Sequence, residues 1–391
     1  MRTVTLRDVV SVVGGGTPRK SVGDYYGGHI PWVTPKDMKR SLIESSEITL
    51  TPKGVTNSPA KLIPAGSVLL VVRSGVLKHT LPVALTTKPV TVNQDMKALV
   101  PNGAVYGGYL ARLVKALQPK VLSWVRATTA DNFPIDNLLD LEICLPPLDE
   151  QRRIAAILDQ ADAIRTKRRN VFAEIDALEE SIFRDMFGDV VAGSTVEDVA
   201  AADRSSIRTG PFGSQLLHGE FVDDGIAVLG LDNVVNNQFR WAERRYITPK
   251  KYAQLARYTV HAGDVLISIM GTVGRCAVVP EDIPTAINTK HLCAITVDRQ
   301  RLEPLFLRAA FLWHPESRAH LRRQTKGSIM DGLNMGIIKS MPIPVPDMDQ
   351  QKKFVTRIAA VTGRQIAARQ LLVEHDELFA SLQSRAFRGE L

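Results

Sequence analysis

The sequence contains little cysteine and no long apolar run. Only three cysteines occur among its 391 residues, and Cys144, Cys276 and Cys293 do not form the CxxC pair of a zinc or redox site. We therefore expect buried thiols in a reducing cytoplasm rather than disulfide bonds. No apolar run approaches the ~20 residues of a transmembrane helix, and the first residues lack the pattern of a secretory signal peptide. These absences predict a cytoplasmic protein without a membrane span.

Motifs of the common catalytic sites are also missing. The run Gly14–Gly15–Gly16 does not follow the GxGxxG pattern of a dinucleotide loop, and Pro18 comes soon after it. There is no GxxxxGK[ST] loop for ATP and no Asn-Pro-Pro-aromatic tetrapeptide of the kind that amino-methyltransferases use. The eight histidines show neither HExxH nor HxxxH spacing. We expect no catalytic residue, no metal and no cofactor in this chain.

One long segment of the sequence occurs twice. The first copy begins at Pro146 with the letters PPLDEQRRI and continues without proline or glycine to Phe187. The second begins at Pro346 with PDMDQQKKF and continues to Phe387, so the two copies have the same length. The copies align without a gap and are identical at Asp149/Asp349, Gln151/Gln351, Arg169/Arg369, Glu174/Glu374, Asp176/Asp376, Leu178/Leu378, Ser181/Ser381 and Phe187/Phe387. A repeat of this length indicates two copies of one architectural unit.

Each copy is predicted to form one long helix. Pro147, Asp149 and Glu150 favour a helix start, and glycines follow both ends. At ~1.5 Å per residue, each helix would be roughly 55–60 Å long. A single helix of this kind is typical of a dimerisation coil. Two copies, each after a globular segment, favour an internal antiparallel pair.

Apolar residues recur in both copies at the spacing of a coiled-coil seam. The predicted pairing line of the first copy is Ile154, Ile157, Ala161, Ile164, Arg168, Val171, Ile175, Leu178 and Ile182. That of the second is Phe354, Ile358, Val361, Gln365, Ala368, Leu372, His375, Phe379, Leu382 and Ala386.

The segments before the two helices share a mixed α/β plan. In the first we expect strands at Ser67–Val72, Val83–Leu85, Val90–Val92 and Leu141–Leu145 and a helix at Tyr109–Ala116. Framework pieces return in the second segment: Pro64–Leu70 as His261–Ile267, and Asn93–Asp95 as Asn288–Lys290. The loops between these pieces do not match. A duplicated scaffold with two different loop sets is typical of a protein that reads two different targets.

The sequence therefore predicts an α+β protein with a pseudo-two-fold internal repeat. Its expected parts are a mixed α/β domain at 1–146, a central helix at 147–188, a second domain at 189–346 and a C-terminal helix at 347–391. The two long helices would pair antiparallel and separate the domains.

The loops of both segments are rich in side chains that bind nucleic acids. Lys and Arg hold phosphates or read guanine, and Asn and Gln read adenine; the net charge of +8 fits a polyanionic partner, although many basic proteins bind none. The candidates in the first segment are Arg19, Lys20, Lys36, Lys39, Arg40, Arg73, Ser74, Lys78, His79, Asn93 and Gln94. Those in the second are Arg208, Ser214, Gln215, Asn233, Asn236, Asn237, Gln238, Arg240, Thr272, Arg275, Asn288, Lys290, Lys326 and Asn334. Any one of them could equally be a solvated loop residue.

The globule–helix–globule–helix layout and the run Leu145–Gln151, with its weaker copy at 345–351, resemble the specificity subunit of type I restriction–modification systems. The resemblance covers nearly the whole chain, although Asp347 follows Pro346 and Gln350 replaces the glutamate in the second copy. It implies two target recognition domains that each read one half of a split sequence in double-stranded DNA. It also implies two modification subunits, which bring S-adenosylmethionine and methylate adenine N6, and restriction subunits that use ATP and Mg²⁺. The chain itself would be non-catalytic.

Two other classes of function remain compatible with the residues. A free-standing DNA-binding regulator would need no methyltransferase partner and would bind DNA tightly alone. A scaffold protein would carry its basic charge incidentally. An adjacent reading frame with an Asn-Pro-Pro-Phe motif would separate these alternatives from the restriction–modification subunit.

Overall fold

The computed structural model describes residues 2–126, 130–203, 205–241, 245–325 and 332–391, without the side chains of 324 and 325. It divides into two compact units. The first combines Met1–Arg169 with Gln370–Leu391, and the second is Asn170–Arg369. Among the described residues, no helix is both long enough and apolar enough to cross a membrane.

The first unit is built on small sheets with helices against them. Its described strands are β1 (Arg2–Thr5), β2 (Val10–Gly14), β3 (Tyr26–Val33), β4 (Leu42–Ile43), β5 (Thr49–Leu50), β6 (Val68–Val71), β7 (Val83–Thr86), β8 (Thr91–Val92), β9 (Met96–Pro101) and β10 (Glu142–Leu145). They form sheets in the orders β2–β9–β6–β7–β4 and β5–β3–β8 and the pair β1–β10. Its helices are α1 (Pro52–Thr56), α2 (Gly107–Ala116), α3 (Gln118–Leu122), α4 (Ile135–Leu139) and the first part of α5 (Leu148–Phe187), together with the last part of the C-terminal helix from residue 370. The strands and helix predicted for this segment are confirmed, with ends shifted by one or two residues.

The second unit repeats this plan with different connections. Its described strands are β11 (Ser194–Thr195), β12 (Ile207–Thr209), β13 (Ile226–Leu229), β14 (Val234–Val235), β15 (Gln238–Phe239), β16 (Tyr246–Ile247), β17 (Thr259–Val260), β18 (Val265–Ser268), β19 (Cys276–Val278), β20 (Ala286–Asn288), β21 (Leu292–Ile295) and β22 (Pro342–Ile343). The main sheets have the orders β12–β21–β18–β19 and β16–β13–β20–β17. Its helices are the last part of α5, α6 (Pro249–Leu255), α7 (Pro304–Trp313), α8 (Pro315–Thr325), α9 (Met335–Lys339) and the first part of α10 (Met348–Arg388). The predicted α+β class is confirmed.

Both predicted long helices are confirmed as α5 and α10. In the first unit, Arg165 Nε lies 2.7 Å from Asp376 Oδ1, and Arg153 Nη2 donates to the carbonyl of Leu391 at 2.9 Å. The earlier residue of α5 contacts Leu391, three residues beyond the end of α10, and the later one contacts Asp376 within it, so the two segments run antiparallel there. The same order holds in the second unit, where Phe187 packs edge-on against Phe354 with ring centroids 5.7 Å apart.

The packed face of α10 follows the predicted line. All ten of its positions, from Phe354 and Ile358 through Leu372 to Phe379, Leu382 and Ala386, are buried or half-buried. One of its two polar members, Gln365, is buried, and its amide lies 3.4 Å from Asp176 of α5.

The pairing line predicted for α5 needs correction. Ile154 is buried and Ile157, Ile175 and Ile182 are half-buried, but Ile164 and Leu178 are 40% and 37% exposed, as is Val171 at 42%. The inward line instead contains Leu158, Arg165, Phe172, Glu179 and Phe183. Charged residues occupy this line because each finds an opposite charge: Arg165 bonds Asp376, and Glu179 bonds Arg308. A line chosen by apolarity alone passes beside it.

The repeated glutamine at the start of each long helix is fully buried. Gln151 Oε1 accepts the backbone N–H of Tyr106 at 2.7 Å. Its Nε2 donates to the carbonyls of Ala104 at 3.1 Å and Pro146 at 2.9 Å. Because Tyr106 is the N-cap of α2, the Gln151 amide satisfies a backbone N–H at the start of α2 and connects it to the start of α5.

Gln351 repeats these bonds in the second unit. It accepts the N–H of Glu303, the N-cap of α7, at 2.9 Å. It donates to the carbonyls of Arg301 at 3.1 Å and Pro346 at 2.8 Å. The identity of this residue in both copies of the sequence repeat therefore has a structural cause: a carboxylate cannot donate, and a shorter side chain cannot span the three groups.

We predict that Gln351→Ala lowers the free energy of unfolding by about 1–3 kcal/mol, because it leaves buried backbone groups without partners. The matched control is Gln350→Ala. The Gln350 side chain is exposed, and its backbone N–H, which the substitution keeps, donates to Asp347. This change should therefore lower the free energy of unfolding by no more than about 0.5 kcal/mol. Urea unfolding of both variants measures the difference; equal effects would contradict the assigned role.

Candidate nucleic-acid interface

Several loops meet at one end of the first unit. Strands β3 and β8 are parallel, so their carboxyl ends share an edge, and the N–H of Asn93 bonds the carbonyl of Val33 at 3.0 Å. The end of β2 joins them through Gly16 N–H to Val92 at 3.0 Å, and the end of β6 through Arg73 N–H to Asp95 at 3.2 Å. We call this surface the first loop edge; it comprises residues 14–20, 34–40, 73–79 and 93–95.

The second unit forms a corresponding edge. β13 and β20 are parallel, and Thr289 N–H bonds the carbonyl of Leu229 at 2.9 Å. Ile269 N–H bonds His291 at 2.9 Å. A Cβ at Gly210 would collide with the backbone carbonyl of Asn288, so this close approach requires glycine. The second loop edge comprises residues 210–215, 230–233, 269–275, 289–291 and 332–334.

The sequence match of Asn93–Asp95 with Asn288–Lys290 is off by one residue in the structure. Val33 pairs with Val92 and Leu229 pairs with Asn288, so Asn288 corresponds to Val92 and not to Asn93. It follows that Gln94 and Lys290 occupy equivalent positions, one residue beyond Asn93 and Thr289. Both side chains are exposed.

Most candidates of the first loop edge are exposed. This group comprises Arg19, Lys20, Lys36, Lys39, Arg40, Arg73, Lys78, His79 and Gln94. Arg73 forms an ion pair with Asp95 at 2.6 Å, and the half-buried Ser74 caps a short 3-10 turn. Asn93 is buried, and its Nδ2 donates to Asp95 at 3.0 Å. The prediction that its side chain lies in an exposed loop is therefore wrong. The hydroxyl of Thr17, which the sequence did not single out, contacts the Gln94 side chain.

The candidates of the second unit are more divided. Ser214, Gln215, Thr272, Lys290 and Asn334 are exposed and Arg275 is half-buried, all within the second loop edge. Gln215 accepts from the Tyr258 hydroxyl at 2.8 Å, and Asn334 caps α9. Arg240 is half-buried outside this edge, and Lys326 lies outside the described residues.

Three candidates of the second unit prove to be interior residues. Asn233 caps a turn by accepting from Gly230 N–H at 2.8 Å, and Asn288 donates to the carbonyl of Leu292 at 2.8 Å. Arg208 forms a buried ion pair with Asp264. The expectation that these side chains lie in exposed loops is wrong, because each satisfies polar groups inside the fold.

Asn236 and Asn237 form a two-residue turn between β14 and β15. Both have left-handed φ angles, 52° and 58°, as a type I′ hairpin turn requires. Asn237 Oδ1 accepts from the N–H of Cys276 at 3.2 Å, and its carbonyl accepts from Arg308 Nε at 2.9 Å. Asn237 was expected to be a free loop side chain, and the structure instead makes it part of the fold. Asn236 is exposed at the tip.

Arg308 connects this turn to α5. Both its Nη1 and its Nη2 lie 3.1 Å from Glu179 Oε2, and both side chains are buried. Next to it, the half-buried Gln238 contacts Gln365 of α10 at 3.4 Å. The turn is therefore held against α5 through the buried ion pair of Arg308 and Glu179, and the strand that follows it contacts α10 through Gln238. We call Asn237, Arg308 and Glu179 the hairpin anchor.

His291 adds a titratable group to the second loop edge. Partial burial, and then the positive charges of Lys290 and Arg245, hold the pKa of its imidazole below the usual value. The ring is therefore neutral near pH 7, with one nitrogen able to donate and one able to accept. The histidines show no metal-ligand spacing, and the sequence did not single out His291; the neighbouring candidate Lys290 was the signal that pointed to this loop.

No metal or thiol site accompanies the loop edges in the described residues. There, no group of three or more His, Cys, Asp or Glu side chains is placed to hold a metal ion. Cys276 and Cys293 are buried, and burial raises the pKa of each thiol to about 12, so both are protonated at neutral pH.

The long helices also present apolar side chains to solvent. In the first unit, α5 exposes Ile164 and α10 exposes Leu371 and Leu378. In the second unit, α5 exposes Val171 and Leu178. Ile164, Val171 and Leu178 recur every seven positions, which is the spacing of one line along a helix that packs against another helix.

We predict that Glu179→Ala lowers the free energy of unfolding by about 3–5 kcal/mol, because Arg308 would keep its buried charge without a counterion. Glu180→Ala is the control: Glu180 forms an exposed pair with Arg184, whose loss should cost no more than about 0.5 kcal/mol. Denaturant unfolding midpoints compare the two. An unchanged midpoint for Glu179→Ala would show that the hairpin anchor contributes nothing.

Comparison with known proteins places these features in context. A family model described as the type I restriction modification DNA specificity domain matches residues 1–175 and 232–372. The specificity subunit of the type I restriction enzyme EcoR124I/EcoR124II of Escherichia coli is 39% identical over 163 residues, which are 41% of this chain and 40% of that protein. The MjaIX specificity subunit of Methanocaldococcus jannaschii is 30% identical over 191 residues, 47% of this chain and 43% of that protein. The matched region thus spans about two fifths of these relatives' length.

Two solved structures are similar over nearly the full length. The crystal structure of a type I restriction-modification S subunit from M. genitalium has a TM-score of 0.58 at 13% identity, covering 99% of this chain and 96% of that one. A chain from a structure on complex assembly and conformational transition of a type I R-M system has a TM-score of 0.61 at 17% identity, covering 100% and 98%. At these identities the likeness shows the fold.

Proposed function

This chain belongs to the family of type I restriction–modification DNA specificity proteins, and we propose that it is the target-reading subunit of such a system. In this proposal the first loop edge reads one half of a split target in double-stranded DNA and the second loop edge reads the other half. The chain directs catalysis by its partners and is not itself an enzyme.

The observation that carries the proposal is one frame with two different edges. Gln151 and Gln351 make the same three bonds, and the parallel pairs β3–β8 and β13–β20 place equivalent loops at each edge. The side chains on those loops differ, as Gln94 and Lys290 show. Because bases are distinguished by donor and acceptor patterns, two different sets of side chains favour two different half-sites.

The exposed cations of both edges support binding to DNA. The first loop edge includes the exposed Arg19, Lys20, Lys36, Lys39 and Arg40, and the second includes Lys290. Lysine and arginine at such positions hold phosphates and fix the register of the protein on the duplex. Base contacts by neighbouring polar side chains then supply the specificity.

The exposed apolar lines of α5 and α10 support the recruitment of partner subunits. Apolar residues at helical spacing lose contact with water when another helix packs on them. We assign these lines to two modification subunits, which would bring S-adenosylmethionine and methylate adenine N6 in the cytoplasm. Restriction subunits would add ATP- and Mg²⁺-dependent cleavage.

The purified chain should neither methylate nor cut DNA, and adding its modification subunit should produce methylation at adenine N6. A radiolabelled methyl-transfer assay with each component alone and with both together measures this. S-adenosylmethionine-dependent activity of the isolated chain would contradict the proposal. Tight, sequence-specific binding by the chain alone, unchanged by the modification subunit, would favour a free-standing regulator.

Lys290→Ala should relax one half of the methylated sequence, and Gln94→Ala should relax the other half. The two residues are structurally equivalent, so each serves as the control for the other. Each lost base contact should cost about 1–3 kcal/mol of discrimination. The methylomes of cells that carry each variant give the readout; equal relaxation of both half-sites by either change would refute reading by one domain per half-site.

A further inference from the structure

A groove of about 1150 Å³ opens beside the first loop edge, within the first unit. One wall is formed by the loop at 35–42, which belongs partly to that edge, and by residues 76–85. Gly108 and Ala111 of α2 also line the groove. The opposite wall is α5 from Asp159 to Lys167.

The carboxylates in this groove are already neutralised. Arg112 lies 2.7 Å from Asp159 and 2.8 Å from Asp162. Arg165 lies 3.2 Å from Asp162 and 2.7 Å from Asp376. The two arginines are therefore engaged in holding helices together, and the acidic side chains contribute little free negative charge to the groove.

Four other cations in the groove are exposed and lack such partners. Lys36, Lys39 and Arg40 lie on the loop wall and Lys167 lies on the α5 wall. Within the described part of the chain, none of the four forms an ion pair with a carboxylate. Lys115 differs from them, because its Nζ donates to the carbonyl of Leu81 at 2.8 Å and burial lowers its pKa.

We propose that this groove holds the sugar–phosphate backbone of DNA next to the half-site that the first loop edge reads, and that Lys167 contacts a phosphate from the helix side. The inference rests on the proposed function. Lys36, Lys39 and Arg40 belong to both the edge and the groove, so a duplex that faces the edge continues into the groove. Cations that meet from two walls suit a ridge of phosphates, and they distinguish α5 from a passive spacer between domains.

Contacts to phosphates carry affinity without sequence information. Lys167→Ala should therefore weaken binding several-fold, and it should reduce the slope of log K against log salt by about one, as expected for one lost phosphate contact. The methylated sequence should stay unchanged. Arg168→Ala is the matched control, since Arg168 is the next residue of α5, is exposed and lies outside the groove.

The experiment uses the full chain in complex with its modification subunits and a duplex that contains the sequence found in the wild-type methylome. Fluorescence anisotropy across a salt series gives affinity and slope for wild type, Lys167→Ala and Arg168→Ala. A second set of duplexes carries one neutral methylphosphonate at successive positions of the spacer beside the first half-site. At one such position, the methylphosphonate should lower the DNA affinity of wild type, and it should not lower the affinity of Lys167→Ala any further.

Three results would overturn the inference. One is an equal loss of DNA affinity for Lys167→Ala and Arg168→Ala. Another is a Lys167→Ala complex that loses further affinity at every methylphosphonate position at which wild type does. The third is weakened assembly with the modification subunit at unchanged DNA affinity, which would make the groove a site for an acidic protein segment. A wild-type complex that binds no specific duplex would instead refute the proposed function itself.

Discussion

A buried amide at the start of each long helix is the interaction on which the rest of the structure depends. Gln151 and Gln351 each bond an N-cap N–H and two carbonyls, so the start of α5 or α10 has a defined position against the helix beside it. An unsatisfied polar group inside a protein costs more free energy than an ordinary hydrogen bond contributes. The start of each long helix can therefore shift little without losing these bonds. The loop edges are positioned with it, because one sheet of each unit, β2–β9–β6–β7–β4 or β12–β21–β18–β19, packs on the same core as the long helices.

The packed face of α5 carries two charged side chains among its apolar ones, and both long helices leave some apolar side chains exposed. Arg165 and Glu179 lie on the packed face of α5 with Asp376 and Arg308 as partners, while Ile164 remains exposed. The Glu179–Arg308 pair is buried, whereas the Asp376 side chain of the other pair is 41% exposed. A buried pair contributes less to stability than apolar packing would, but removing one partner is costly. The arrangement leaves apolar area available for contact with other helices.

The two loop edges show how one frame can carry two chemistries. Parallel strands and a close glycine contact define where the loops begin, and these features depend on backbone geometry rather than on side chains. The positions beyond them are free to differ, as Gln94 and Lys290 do. Polar residues that look alike in sequence divide here into exposed side chains such as Gln94 and buried caps such as Asn233.

The sequence by itself determined the repeated helices, their ends and the packed line of α10, because helical periodicity, prolines and glycines act locally. It also predicted which loops carry polar and basic residues. Only the tertiary structure decided the packed line of α5, since the partner of Glu179 comes from a helix that lies 129 positions away in the chain. The same holds for Asn237 and Asn288: whether an amide faces solvent or satisfies a buried group depends on which strands pair, and that is set by contacts between distant segments.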